Sequence, residues 1–240
     1  MTNSAVDWDA FDSNDYFAHN YGTLRQDDAE IIDVVKEFFA DARLPLGSAR
    51  AIDVGTGTNL YPALTMLPYA SGVTLLDRSR SNRTWLHREL AAPRDSWMDF
   101  WREIVAGHPD HAGIAQPLTE LRARARVRHG NALDLPAGRY DLATMFFVAE
   151  SMTTVNSEFV GALRAFAGCL VAGAPFAAAF MRESLGYVVG GTAFPACKIE
   201  EADVESALEP VAREVRVVRV DSEGLRDGYD GMMVATGFRR

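Results

Sequence analysis

The chain has 240 residues, of which 48% are hydrophobic and 24% charged, and it carries a formal net charge of -9. These values fit one globular domain with a sizeable core. No run of Lys or Arg is long enough to follow a phosphate backbone against that acidic remainder, which excludes nucleic acid as the expected partner. No stretch approaches the roughly 20 apolar residues that span a bilayer, which excludes a membrane one. The polar, acidic start Met1 to Asp15 lacks the basic and apolar regions of a signal peptide, so the expected location is the cytoplasm. Cys169 and Cys197 are the only cysteines. They form no CxxC pair, and buried, reduced thiols are expected.

In chain order, the first fifteen residues form a polar, aromatic-containing lead-in. A helix is predicted from near Asp27 or Asp28, because Ile31, Val34, Val35, Phe38, Phe39 and Ala42 recur at helical spacing and its acidic start suits both cap and dipole. Residues 49–54 read as a buried strand broken by Gly55. A helix near 60–67, a strand over 72–77, a helix over 80–90 and strands near 126–130 and over 140–148 follow. A helix near 158–170 and a strand over 175–181 continue the alternation, which argues for an α/β fold with a mainly parallel sheet covered on both faces. After a helix near 200–211, the runs 215–220 and 232–238 are joined without a crossover helix and must pair antiparallel, as a terminal hairpin. Residues 96–116, with Trp97, Phe100, Trp101, Ile104 and Val105, exceed an ordinary connection and are taken as an inserted helix over the site, with a plain packing helix as the alternative.

The run Asp53-Val54-Gly55-Thr56-Gly57-Thr58-Asn59 turns the first strand into a helix, and glycine there lets backbone approach a ligand closely. A dinucleotide fingerprint would need glycine where Leu60 stands. Asp53 would repel a pyrophosphate but attract the ammonium of a methionine moiety, which favours S-adenosylmethionine over NAD. Asp77 ends the second strand 20 residues beyond Gly57, where a carboxylate can accept from ribose hydroxyls.

The residues Asp15-Tyr16-Phe17-Ala18-His19-Asn20-Tyr21, the glycine loop through Asn59-Leu60-Tyr61, Asp77 to Arg83, and Phe147-Val148-Ala149-Glu150 resemble the family of nicotinamide, phenylethanolamine and indolethylamine N-methyltransferases. The specific parts are the paired tyrosines ahead of the first long helix and the tyrosine after the loop. The resemblance implies a Rossmann-like class I methyltransferase over residues 1–240, with 1–45 forming an N-terminal lid and helix. It implies S-adenosylmethionine as cofactor, S-adenosylhomocysteine as product and a small-molecule acceptor, and a monomer is expected. Tyr16 and Tyr21 would close a lid, Asn59 and Tyr61 would meet the methionine end, and Asp77 and Asn82 would serve the ribose and adenine surroundings. Asn131 and Ala132 would flank the adenine, although Asn131 departs from the acid expected there. The alternative for the three tyrosines is ordinary aromatic packing.

An amine acceptor must shed a proton, which a nearby carboxylate can hold. Glu150 and Glu183 follow strands 140–148 and 175–181 and so lie at the carboxyl edge where open α/β sheets bind ligands. By resemblance both would bind the acceptor together with Tyr16, Asn20 and Phe147; a loop acid or a helix cap is the other reading of Glu150. A third acid is expected at Asp227 or Asp230. His108-Pro109-Asp110-His111 has its two histidines only three apart around a proline, and no metal is expected. Arg122, Arg124, Arg126 and Arg128 read as a solvated face.

Overall fold

The computed structural model describes residues 1–108, 111–222 and 228–240. Its centre is β1 (Ala49–Val54), whose inner residues are buried on both faces as the near-continuous apolar run requires. β1 pairs in parallel with β2 (Ala70–Asp77) on one side and β4 (Leu142–Phe146) on the other. β3 (Ala125–His129) extends the sheet beyond β2, and β5 (Pro175–Met181) extends it beyond β4. The order β3-β2-β1-β4-β5-β9-β8 therefore reverses beside β1, and the crevice for a ligand opens at the strands' carboxyl ends at that switch.

β8 (Ala212–Val220) and β9 (Met232–Arg239) form the expected antiparallel hairpin, and β9 also runs antiparallel to β5, with Met181 opposite Met232. The fold is α/β and Rossmann-like. Arg126 and Arg128 lie on exposed positions of β3. Cys169 and Cys197 are buried free thiols. Among the described residues no helix is long and apolar enough to cross a membrane.

The helices follow the sequence pattern with instructive departures. α2 (Gln26–Asp41) starts a residue before Asp27, and its N-cap Arg25 offers no side-chain cap; Asp27 and Asp28 sit in the first turn instead. α3 (Tyr61–Met66), α4 (Arg80–Ala91), α7 (Asn156–Gly168) and α8 (Glu201–Leu208) stand where periodicity put them, and α6 (Pro117–Arg124) precedes β3. α5 (Trp97–Val105) is the inserted helix, but Trp97, Phe100, Trp101 and Ile104 are buried against α2 and α3, with Phe100 stacked on Tyr61 at 5.6 Å. It is a packing helix and not a cover for the site, because its aromatic face is spent on the core.

The aromatic lead-in contains a further helix, α1 (Ser13–Asn20), nucleated by Asp12, whose Oδ1 accepts from the amides of Asn14 and Asp15 at 3.0 Å each. A small hairpin of β6 (Tyr187–Val189) and β7 (Thr192–Phe194) was also not expected. Gly190 and Gly191 take φ of +53° and +80°, the backbone that a tight two-residue hairpin turn needs. Phe194 stacks on Trp8 at 5.7 Å and meets Phe11 edge-on at 5.2 Å, so the hairpin is pinned to the N-terminal segment.

Candidate active site

The glycine loop is shaped by contacts that tolerate no side chain. Gly55 has φ +70°, and a Cβ there would lie 2.5 Å from Val148; Gly57 has φ +59°. The Gly57 amide donates to Asp77 Oδ2 at 2.8 Å, the Ser79 amide donates to Asp77 Oδ1 at 2.8 Å, and Asn82 Nδ2 reaches both oxygens at 3.3 Å. Burial pushes the Asp77 carboxyl up, and these hydrogen bonds hold it back. The ends of β1 and β2 are thereby locked around a cavity of about 750 Å³.

Gly55, Gly57, Asn59, Asp77 and Asn82 line that cavity, as do Asn131 and Ala132 from the turn after β3. Asn131 Oδ1 accepts from Asn3 Nδ2 at 3.0 Å and from the Leu133 amide at 3.1 Å, so the amide joins the turn to the N-terminal segment. Asn3, Trp8, Phe11, Tyr16 and Tyr21 form the opposite wall, with Tyr187 from the small hairpin. Ser13 Oγ donates to Asn82 Oδ1 at 2.8 Å, and the Gly190 amide donates to Asp15 Oδ2 at 2.9 Å. The segment is thus closed over the cavity and fastened to α4 and to the hairpin.

A smaller cavity of about 310 Å³ shares Tyr16, Tyr21 and Phe147 with the first. Asn20, Arg25, Asp28, Met181 and Met232 complete its lining. Phe147 adopts φ +60°, an unfavourable conformation for a bulky residue. That geometry ends β4 two residues earlier than expected, leaving Phe146 in the core while Phe147 stands between the cavities.

Glu150 and Glu183, expected to project into one cleft, are not among the residues lining these two cavities. Glu150 is fully buried; its Oε1 accepts from the Met181 amide at 3.0 Å and from Ser151 Oγ at 3.1 Å. Glu183, at φ +53° beyond the end of β5, is paired with Lys198 at 3.4 Å. Asp230 is ion-paired with Arg182 and, at 3.3 Å, with Arg219, while Asp227 lies outside the described residues. Tyr61 is likewise core and not cavity wall, packed edge-on against Tyr21 at 6.1 Å. Burial raises the hydroxyls of Tyr21 and Tyr61 well above the ordinary phenol range, so they stay protonated. His108 contacts Glu37 at 3.0 Å and His111 contacts Tyr69 at 3.0 Å, both remote from the cavities; Pro109 and Asp110 lie outside the described residues.

Residues 2–237 match the NNMT/PNMT/TEMT family. The chain belongs to this family of S-adenosylmethionine-dependent methyltransferases. No curated protein matches it in sequence. Among solved structures it resembles the N-methyltransferase NodS from Bradyrhizobium japonicum, in complex with S-adenosylhomocysteine, at a TM-score of 0.54 and 13% identity over 94% of this chain and 92% of that one. Magnesium protoporphyrin IX methyltransferase from Synechocystis PCC 6803, also with bound S-adenosylhomocysteine, gives a TM-score of 0.58 at 14% identity, covering 95% and 94%. The 1,6-didemethyltoxoflavin-N1-methyltransferase of Burkholderia thailandensis gives 0.53 at 16% identity, covering 88% and 79%.

The methyltransferase's own residues fit this cofactor. Asp53 is 1% exposed behind the loop; its Oδ1 accepts from Thr144 Oγ1 at 2.8 Å, while Oδ2 has no hydrogen-bond partner among the described residues. Burial raises its pKa to about 7, with Thr144 and Thr56 opposing. A buried carboxylate with an open oxygen behind a glycine cradle calls for a donor or cation brought by a ligand. Thr58 Oγ1, also buried and without a partner among the described residues, makes the same demand.

Sequence reasoning missed Asn3, Trp8, Phe11 and Tyr187 on the large cavity and Arg25, Asp28, Met181 and Met232 on the small one. The Gly-Gly pair between Val-Val and Thr-Ala-Phe was a readable hairpin signal; nothing in the sequence marked Asp28 apart from its neighbour Asp27.

Proposed function

We propose that this methyltransferase transfers the methyl group of S-adenosylmethionine to a nitrogen of a small, largely apolar molecule, acting as a cytoplasmic monomer. The observation that carries the reading is the pair of cavities sharing Tyr16, Tyr21 and Phe147: one runs along the glycine loop, Asp77 and Asn131, and the other, about 310 Å³, is small and walled by these aromatics and two methionines, with Asn20, Arg25 and Asp28. NodS and the toxoflavin enzyme, both named as N-methyltransferases, favour nitrogen.

When bound, the cofactor supplies an electrophilic methyl group on a sulfonium. The protein's part is positioning and exclusion of water. Asp77 and Asn82 would hold the ribose side, Asn131 and Ala132 the base, and the loop from Gly55 to Asn59, with Asp53 behind it, the methionine end. Tyr16 and Tyr21, on the strap fastened by Ser13 and Asp15, exclude water and face the acceptor. Phe147 offers its ring to the acceptor, and Asn20 a polar contact. Glu150 acts as a positioning residue that holds Met181 in the acceptor wall, and Glu183 works from the end of the same strand.

The test is release of S-adenosylhomocysteine by purified protein across matched amines, pyridines, phenols, thiols and carboxylic acids. Turnover of amines or pyridines supports the nitrogen reading. Turnover confined to phenols, thiols or acids removes it and keeps the methyltransferase.

A further inference from the structure

The smaller cavity has a buried carboxylate in its wall. Its walls are tyrosine, phenylalanine and the paired strand-end methionines Met181 and Met232, with two charged residues, Arg25 and Asp28, at the start of α2. Arg25 is committed: its Nε and Nη2 donate to the two oxygens of Asp27 at 3.1 Å each. Asp27 also accepts the Asp28 amide at 2.9 Å. Arg25 thus balances Asp27, and Asp28, 3% exposed beside the Tyr61 hydroxyl, is the second carboxylate of this turn and lines the small cavity.

We propose that Asp28 is the group that receives the acceptor nitrogen in this methyltransferase, accepting its N–H hydrogen bond and then its proton, and so selects nitrogen acceptors that carry a proton over anionic ones. This rests on the nitrogen reading above and assigns a residue to it. The bound ammonium passes one proton to an Asp28 carboxylate oxygen, from which it leaves to solvent. The freed lone pair then forms the N–C bond, and the C–S bond breaks with its electron pair going to sulfur.

The environment suits a group that takes and returns a proton near neutrality. Burial, followed by the charge of Asp27, raises the Asp28 pKa to about 7, while the Tyr61 hydroxyl and Arg25 oppose the rise. The titratable groups around it are Tyr16 on α1 and Tyr21 just after it, Arg25 just before α2 and Asp27 in its first turn, and Tyr61 on α3, with Tyr229 acting on Arg25. Tyr21 and Tyr61 stay protonated and Arg25 stays charged, whereas Asp28 changes charge near pH 7. An anionic acceptor would meet a second negative charge in a site that water cannot screen.

The experiment uses the full chain saturated with S-adenosylhomocysteine and reads binding of benzylamine, 2-phenylethylamine and 3-phenylpropionate by calorimetry, alongside turnover of the two amines with S-adenosylmethionine. The expected result is amine binding without carboxylate binding. Asp28→Asn should lower amine affinity and kcat/KM by at least about tenfold and abolish the acidic limb of the kcat/KM profile near pH 7, with S-adenosylhomocysteine affinity unchanged. Asp28→Glu, which keeps the charge, should restore part of the activity and the limb, which also covers a failure of the Asn variant to fold. Amines methylated equally well by wild type and Asp28→Asn overturn the assignment and leave the nitrogen reading standing. No binding of either amine by the wild type overturns the assignment, and turnover confined to phenols, thiols or acids in the wider panel overturns the nitrogen reading with it.

Discussion

Glu150 Oε1 accepts the Met181 amide hydrogen at 3.0 Å, so a fully buried carboxylate in the turn after β4 holds the last residue of β5, which is itself a wall of the smaller cavity. The bond needs an acceptor at Oε1, and a glutamine amide oxygen also provides one. Glu150→Gln is therefore expected to keep turnover within about threefold of wild type, whereas Glu150→Ala, which strands the Met181 amide, should cost about 2–4 kcal/mol of stability. Thermal melts and steady-state kinetics of both variants check this. A hundredfold loss in the Gln variant with cofactor affinity intact would put the carboxylate in the proton path instead.

Gly55→Ala tests the cradle. At φ +70° the new methyl would meet Val148 at 2.5 Å, so both backbone and neighbour must shift. Weakening of S-adenosylhomocysteine binding by at least about tenfold is expected, with a stability loss of about 1–3 kcal/mol, because strain at positive φ is paid in either state. Calorimetric titration measures the first effect and denaturant unfolding the second; unchanged affinity would detach the loop from cofactor binding.

The pH dependence of the unliganded protein has a definite sign. Asp28 and Asp53 have folded pKa values raised to about 7, above the unfolded value of about 3.9. Protons bind more tightly in the folded state, so the contribution of these groups is fully present below about pH 4 and is lost as pH rises through about 7. Replacing either with Asn removes the cost of ionising it. The melting temperature of each variant relative to wild type should rise between pH 5 and pH 8, and a flat difference would mean that the carboxylate titrates normally.

The N-terminal strap closes through contacts distant in sequence: Ser13 to Asn82, Asp15 to the Gly190 amide and Asn3 to Asn131. Removing residues 1–12 deletes Asn3, Trp8 and Phe11 from the cavity wall. Dissociation of S-adenosylhomocysteine should accelerate by about tenfold or more, and backbone exchange over residues 16–23 should rise in the complex. Stopped-flow displacement and hydrogen exchange read these effects; an unchanged off-rate would make the strap ornamental to retention.

Much of the scaffold was legible because its signals are local. The run 49–54 became β1 with the expected bounds, 175–181 became β5, and the two terminal runs paired antiparallel because no helix separates them. Less legible were pieces too short to carry a period: the eight-residue α1, set by Asp12 as cap, and the three-residue strands of the β6–β7 hairpin. α5 showed its aromatic stripe in the sequence, but a stripe does not say which surface it meets.

By itself the sequence determined the strand and helix alternation, the glycine loop with Asp77 beyond it, and the resemblance that residues 2–237 bear out. Each of these follows from side-chain periodicity, from backbone freedom at glycine, or from residue types at fixed spacing. Only the tertiary structure decided which carboxylate lines a cavity. Asp28 reaches the small cavity because α2 packs against β5 and β9, whereas Glu150 turns inward to satisfy the Met181 amide. Burial and direction depend on contacts between residues far apart in the chain, and positive φ at Phe147 and Glu183 re-aims the strand ends where alternation alone would have pointed them otherwise.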